Sequence, residues 1–151
     1  MRTQQPQTEH SDTSSSARLV AGHAGELVAV WDDLDDIAEA DAGRLLAADL
    51  AADVAAGRRQ LWFAERAGKR MAVIALTEVV DYPRLRACRL ALAGRDAVEA
   101  VGVMPQLEAW ALKQGCRIIE WWGRPGWLRA PQWEPIIKTY RFRFAVADKD
   151  L

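Results

Sequence analysis

Histidine, cysteine and long apolar runs are the scarce features of this 151-residue chain, and each scarcity removes a class of chemistry. The two histidines, His10 and His23, both fall in the polar amino-terminal stretch, so a histidine-based triad or a metal centre would lack its usual parts. The two cysteines, Cys88 and Cys116, are too few for a disulfide scaffold and have no His or Cys neighbour at metal-ligand spacing; buried thiols in a reducing compartment are the expectation. No apolar segment reaches about eighteen residues and no apolar leader opens the chain, which predicts neither membrane spanning nor secretion and points to a cytoplasmic or particle-bound protein. Basic residues are scarce in the first third. Residues 1–56 hold three Arg against eleven Asp or Glu, whereas 57–151 hold seventeen Lys or Arg against ten, so segments of -8 and +7 hide inside a net charge of -1. The basic side chains are scattered along strands rather than gathered in a run, which gives no nucleic-acid footprint.

What is present suits one compact domain: half of the residues are hydrophobic, enough for one core and too few for two. Residues 1–16 carry Gln, Thr, Ser and charge with no aliphatic side chain beyond Met1, which predicts a disordered tail ahead of a domain over 17–151. From Glu26, Leu27, Val30, Trp31, Leu34 and Ile37 recur at helical spacing with aspartates on the other faces, and a second amphipathic helix is predicted from about Arg44 to Gly57. The period then shortens to two. Gln60 to Arg66 and Met71 to Val80 read as strands joined by a hairpin at Ala67-Gly68-Lys69, and Asp81-Tyr-Pro-Arg84 breaks the second before a third strand from Arg86 to Ala93. Asp96 is a suitable cap for a helix running to Gly115, with Pro105 kinking or restarting it. Cys116 to Trp122 returns to a strand, which the helical crossover makes parallel to the third and central in the sheet; Thr139 to Ala147 alternates as a last strand. The fold class is α/β, a mixed sheet with an antiparallel meander, a crossover helix, a parallel strand pair and helices on both faces.

The segment Ile118-Ile-Glu-Trp-Trp-Gly-Arg-Pro-Gly-Trp127 joins a strand to a glycine-bracketed loop, because Gly123 and Gly126 free the backbone while Pro125 removes a ladder donor. It presents Arg124 and Trp127 as candidate binding residues at a strand's carboxyl end. Two readings stand for them: a ligand or partner contact, or an arginine that satisfies loop carbonyls beside core tryptophans.

The segments GRRQLWFAE (57–65), VVDYP (79–83), LEAWALKQGC (107–116) and EWWGRPGW (120–127), in this order among these elements, resemble the GNAT acetyltransferase superfamily, and within it the GNAT-like proteins of tailed bacteriophages. The resemblance covers about Trp31 to Leu151. It implies acyl transfer from acetyl-CoA or another acyl-CoA to an amine, small-molecule or protein, in the cytoplasm of an infected bacterial cell. It also implies splayed parallel strands that receive the pantetheine, and a helix start near Asp96 that receives the pyrophosphate. The cofactor-binding candidates are then Leu92, Ala93, Gly94 and Arg95. This stretch departs from the superfamily's phosphate loop of Arg or Gln, two residues, Gly, one residue, Gly or Ala, and Asp96 would repel phosphate. Glu78 and Glu120 are the carboxylates available as base, and the resemblance implies Tyr140 as the acid; the competing reading makes the two carboxylates exposed or Arg-paired strand residues, as strand carboxylates usually are, and Tyr140 a packing aromatic. The alternative is a catalytically inactive GNAT-fold protein serving as a virion or protein-binding component among phage structural proteins, with Trp121, Trp122, Trp127 and Trp133 as contacts.

Overall fold

The computed structural model describes residues 17–41, 43–96, 100, 102–122 and 139–143, with 121–122 and 139–143 as backbone only. Six strands form one sheet in chain order: β1 (Ala17–Ala21), β2 (Gln60–Arg66), β3 (Lys69–Asp81), β4 (Arg86–Ala93), β5 (Ile118–Trp122) and β6 (Thr139–Arg143). The first four run antiparallel to their neighbours, whereas β4 with β5 and β5 with β6 are parallel. The parallel pair is therefore interior, as its apolar composition predicts. β1 is an addition to the expected meander; five residues are too short to display a period, and its register, Ala17 opposite Arg66 to Ala21 opposite Trp62, comes from the partner strand.

Alternation dresses the two faces differently. Leu61, Phe63, Ile74, Leu76, Ala91 and Ala93 form one core with helices α1 (Trp31–Glu39) and α2 (Ala47–Ala55), which contribute Leu34, Ile37, Ala38, Ala47 and Leu50. Ala64, Val73, Ala75, Cys88, Leu90, Leu92 and Ile119 form the other with helix α3 (Met104–Lys113), which contributes Met104, Leu107 and Ala111. Fully burying a leucine such as Leu34 or Leu50 stabilises by about 1.5–3 kcal/mol, so the two clusters fix which face each helix covers.

Three helix starts differ from the sequence reading, the second for a local reason and the first and third with contacts distant in sequence. The first helix begins at Trp31 rather than Glu26, behind two 3-10 turns over Ala24–Glu26 and Val28–Val30. There the Glu26 carboxylate accepts from the His23 backbone N–H and from Arg70 Nη1, 2.6 Å away. The second begins at Ala47 rather than Arg44, because Arg44 folds back onto Asp41 and the Leu46 N–H donates to Asp49 Oδ2. The third begins at Met104 with Pro105 in its first turn, so the proline restarts rather than kinks. Asp96 does not cap it: its Oδ2 accepts the Ala72 backbone N–H at 2.6 Å and its own N–H donates to Ala72 O at 3.0 Å, stitching the turn after β4 onto β3. The β2–β3 hairpin closes through Ala67 and Gly68, both at positive φ (53° and 79°), a conformation whose twist matches the strands. None of the described helices is long and apolar enough to cross a membrane.

Candidate functional site

On the α1/α2 face, one row of the sheet carries alternating charge. Register sets Glu78 of β3 opposite Arg89 of β4, Arg89 opposite Glu120 of β5, and Glu120 opposite Arg141 of β6. Directly opposed residues share a face of a sheet, so the described side chains of this row meet. Arg89 Nη1 lies 3.8 Å from Glu78 Oε1 and Arg89 Nε lies 3.6 Å from Glu120 Oε1. The network extends at both ends. Arg59 Nη2 approaches Glu78 Oε1 at 3.5 Å while its Nε donates to Asp53 Oδ2 at 2.9 Å, and the Tyr82 hydroxyl donates to Glu120 Oε1 at 2.9 Å. Arg59 first, then Arg58, holds the Asp53 carboxyl below its ordinary value.

The contacts to Arg89 are ion pairs at the long end of the range, and partly exposed pairs contribute about 0–1 kcal/mol each. Stability alone is a weak reason for assembling them. Glu120 is buried at 6% exposure, whereas the Glu78 side chain keeps 27% and opens into a cleft of about 250 Å³ between α1, α2 and the sheet. Ile37, Leu45, Leu50 and Leu76 make its apolar walls, and Asp41, Arg44, Arg59, Glu78 and Arg89 its charged ones. The floor reaches Ala91, opposite Trp122, where the described pairing of β4 with β5 ends; β4 itself continues through Leu92 and Ala93, which pair with β3. Glu78 stands one pleat, about 6.6 Å of strand, from the row of Leu76, Ala91 and Trp122. A carboxylate thus faces a partly apolar cleft beside the end of the parallel pairing.

The sequence candidates distribute unevenly around this cleft. Glu78 and Glu120 are brought together through Arg89. Tyr140 occupies the β6 register position opposite Ile119, so it lies off the row that contains Glu120 and Arg141. Leu92 and Ala93 face opposite cores, and Arg95 is exposed. Gly94 adopts φ +123°, and a Cβ there would stand 2.2 Å from the Ala72 carbonyl oxygen, so its missing side chain admits β3 at close approach. Arg124, Trp127 and Trp133 lie outside the described residues. Sequence reasoning missed Arg89, Tyr82, Arg59 and Asp53. Arg89 was within reach, because pairing Asp81 with Arg86 across the Tyr-Pro bend sets Glu78 opposite Arg89 by simple counting. Tyr82 was not, since nothing local predicts that a residue of the β3–β4 bend reaches across β4 to β5.

The meander, crossover helix and interior parallel pair define the fold of the GNAT acetyltransferases. Solved structures share it: a GCN5-related N-acetyltransferase from Ralstonia eutropha JMP134 (15% identity, 82% of this chain and 96% of that one, TM-score 0.57); a ribosomal-protein-alanine N-acetyltransferase from Brucella melitensis biovar Abortus 2308 (12%, 82% and 99%, 0.54); and a predicted acetyltransferase from Clostridium acetobutylicum solved with acetyl-CoA (14%, 82% and 94%, 0.53). Identities this low establish a shared fold. No family model and no curated protein matches the sequence.

Proposed function

We propose that the chain is a GNAT-type N-acyltransferase that moves an acyl group from a coenzyme A thioester to an amine held in the cleft beneath α1 and α2. The observation that carries this reading is Glu78, a carboxylate half-open to the cleft and one pleat from the end of the β4–β5 pairing. The backbone of Leu92 and Ala93 and the exposed Arg95 are what the described residues offer a thioester donor; Gly94 is committed to β3. The donor supplies the electrophilic carbonyl carbon. Glu78 takes one proton from the acceptor ammonium, the amine forms the C–N bond as the C–S bond breaks, and the second nitrogen proton passes to the departing thiolate, so charge and atoms balance. Arg89 and Arg59 orient the Glu78 carboxylate, and Tyr82 with Glu120 braces Arg89 from the far side.

The resemblance to tailed-phage GNAT-like proteins adds a setting to this proposal, in which the amine belongs to the infected bacterial cell. A calorimetric titration with acetyl-CoA tests the reading without knowledge of the acceptor. Saturable heat with a Kd between about 1 μM and 1 mM is expected, the range in which enzymes hold their substrates. Absence of binding throughout that range refutes the acyltransferase and leaves a GNAT-fold protein without the donor.

A further inference from the structure

We infer that the acceptor is a small zwitterion, a free aliphatic amino acid or close analogue, with its ammonium at Glu78 and its carboxylate at Arg44. The use of that amine in acyl transfer rests on the function proposed above, but its binding does not. Size is the first argument. A cleft of about 250 Å³ is smaller than the roughly 300–1,000 Å³ typical of sites for drug-sized ligands, so it suits an acceptor of amino-acid dimensions.

Charge is the second. The lining holds two carboxylates, Asp41 and Glu78, and three guanidinium groups, those of Arg44, Arg59 and Arg89. Behind the cleft Asp53 binds Arg59 and Arg58, each at 2.9 Å, and Glu120 pairs with Arg89 at 3.6 Å, so among the described side chains four carboxylates meet four guanidinium groups and the ensemble is electrically balanced. A ligand of one sign entering a partly desolvated, balanced site leaves a charge uncompensated, whereas a zwitterion brings its own balance. The geometry of the two signs gives the orientation. Glu78 lies on the sheet beside the end of the β4–β5 pairing, where the amine must be to react. Arg44 lies on the segment between α1 and α2, its side chain 61% exposed against 12% for Asp41, which holds it. Asp41 already accepts from Arg44 Nε through its backbone oxygen and from Nη2 through its carboxylate, so an entering carboxylate meets a guanidinium held in place by Asp41 and shares it with that residue. Leu45, Leu50, Ile37 and Leu76 are left to receive an aliphatic side chain.

The test is ligand binding to the full chain, by calorimetry at pH 7, with three matched probes: L-leucine, leucinamide, which lacks the carboxylate, and 4-methylpentanoate, which lacks the amine. Leucine is expected to bind at least tenfold more tightly than either, the loss that follows from removing one charge-assisted contact. Arg44→Ala should bring leucine and leucinamide within about twofold of each other. Because Arg44 is largely exposed, and because the comparison among ligands uses the unsubstituted protein, a folding defect in the variant leaves the test decisive. Equal binding of leucine and leucinamide, or no binding of leucine, valine or methionine up to about 10 mM, overturns the inference. The acetyl-CoA titration is independent: a donor that binds beside an indifferent cleft sinks only the zwitterion, and a selective cleft without donor binding sinks only the acyltransferase.

Discussion

Replacing Gly94 with alanine separates scaffold from cofactor contact in the turn after β4. The new Cβ would stand 2.2 Å from Ala72 O and 2.7 Å from Val73 Cα, both backbone atoms, at φ +123°. Neither side yields cheaply, because Ala72 both donates to and accepts from Asp96. Backbone strain of this kind costs about 1–3 kcal/mol and overpacking a further 1–3 kcal/mol, so a loss of about 3 kcal/mol or more is expected. For a chain of this size each kcal/mol lowers the melting temperature by roughly 2–4 °C, which makes the drop about 6–12 °C. Circular-dichroism melts and a urea titration read it directly. A variant that melts within about 2 °C of the parent refutes the scaffold argument, and if it also loses acetyl-CoA, Gly94 returns to the cofactor role that its sequence context implies.

Ala67 sits at φ 53° in the hairpin, where an L-residue without a short polar side chain is strained, so Ala67→Asn should raise stability by about 0.5–1 kcal/mol in urea midpoints; an unchanged or lower midpoint contradicts the turn assignment. Glu78→Gln should lower acyl transfer about a hundredfold or more while acetyl-CoA affinity stays close to the parent's, and a variant with full activity removes Glu78 as the base. Asp53 is held below its ordinary value by Arg59 and Arg58, so its contribution is present above about pH 4 and is lost as pH falls through the lowered folded value. Asp53→Asn should therefore be less stable at pH 7 and lose less between about pH 4 and pH 2; parallel stability curves for the two proteins speak against the linkage.

What the sequence disclosed was local and periodic. Alternation in Gln60–Arg66 and Arg86–Ala93, the Ala67-Gly68 turn and the Tyr-Pro bend set the meander, and the length of the crossover set β5 parallel to β4. The helix starts were less legible, because the residues that look like caps found better partners through space. Asp96 has the right chemistry for an N-cap, yet in the fold its carboxylate accepts the Ala72 N–H, 24 residues earlier. The candidate site divides along the same line. Glu78 and Arg89 are related by a short turn and their meeting can be counted out, whereas Glu120 reaches Arg89 through a helical crossover whose register no local signal specifies. Tyr140 was implied by resemblance alone, and the register places it beside Ile119 rather than in the charged row.

Arg89 serves two carboxylates whose situations differ, and this yields a quantitative expectation. Glu120 is buried, accepts the Tyr82 hydroxyl, and has the Arg89 guanidinium as its neighbouring cation at 3.6 Å. Removing one partner of a fully buried pair costs about 3–5 kcal/mol, because the remaining charge stays desolvated. The Arg89 side chain is about a third exposed, so water repays part of that loss and about 2 kcal/mol is the expectation for Arg89→Met. Glu120→Gln keeps an oxygen for Tyr82 and removes the charge, so combining it with Arg89→Met should recover at least half of the stability lost, about 1 kcal/mol of coupling in a double-mutant cycle. Activity should not recover, since Glu78 would still lack one of the two guanidinium groups that orient it. If the two substitutions add without coupling, Glu120 does not depend on Arg89 and the row is an accident of register. If activity returns together with stability, the role of Arg89 is confined to the scaffold and the orientation of Glu78 must come from Arg59 alone.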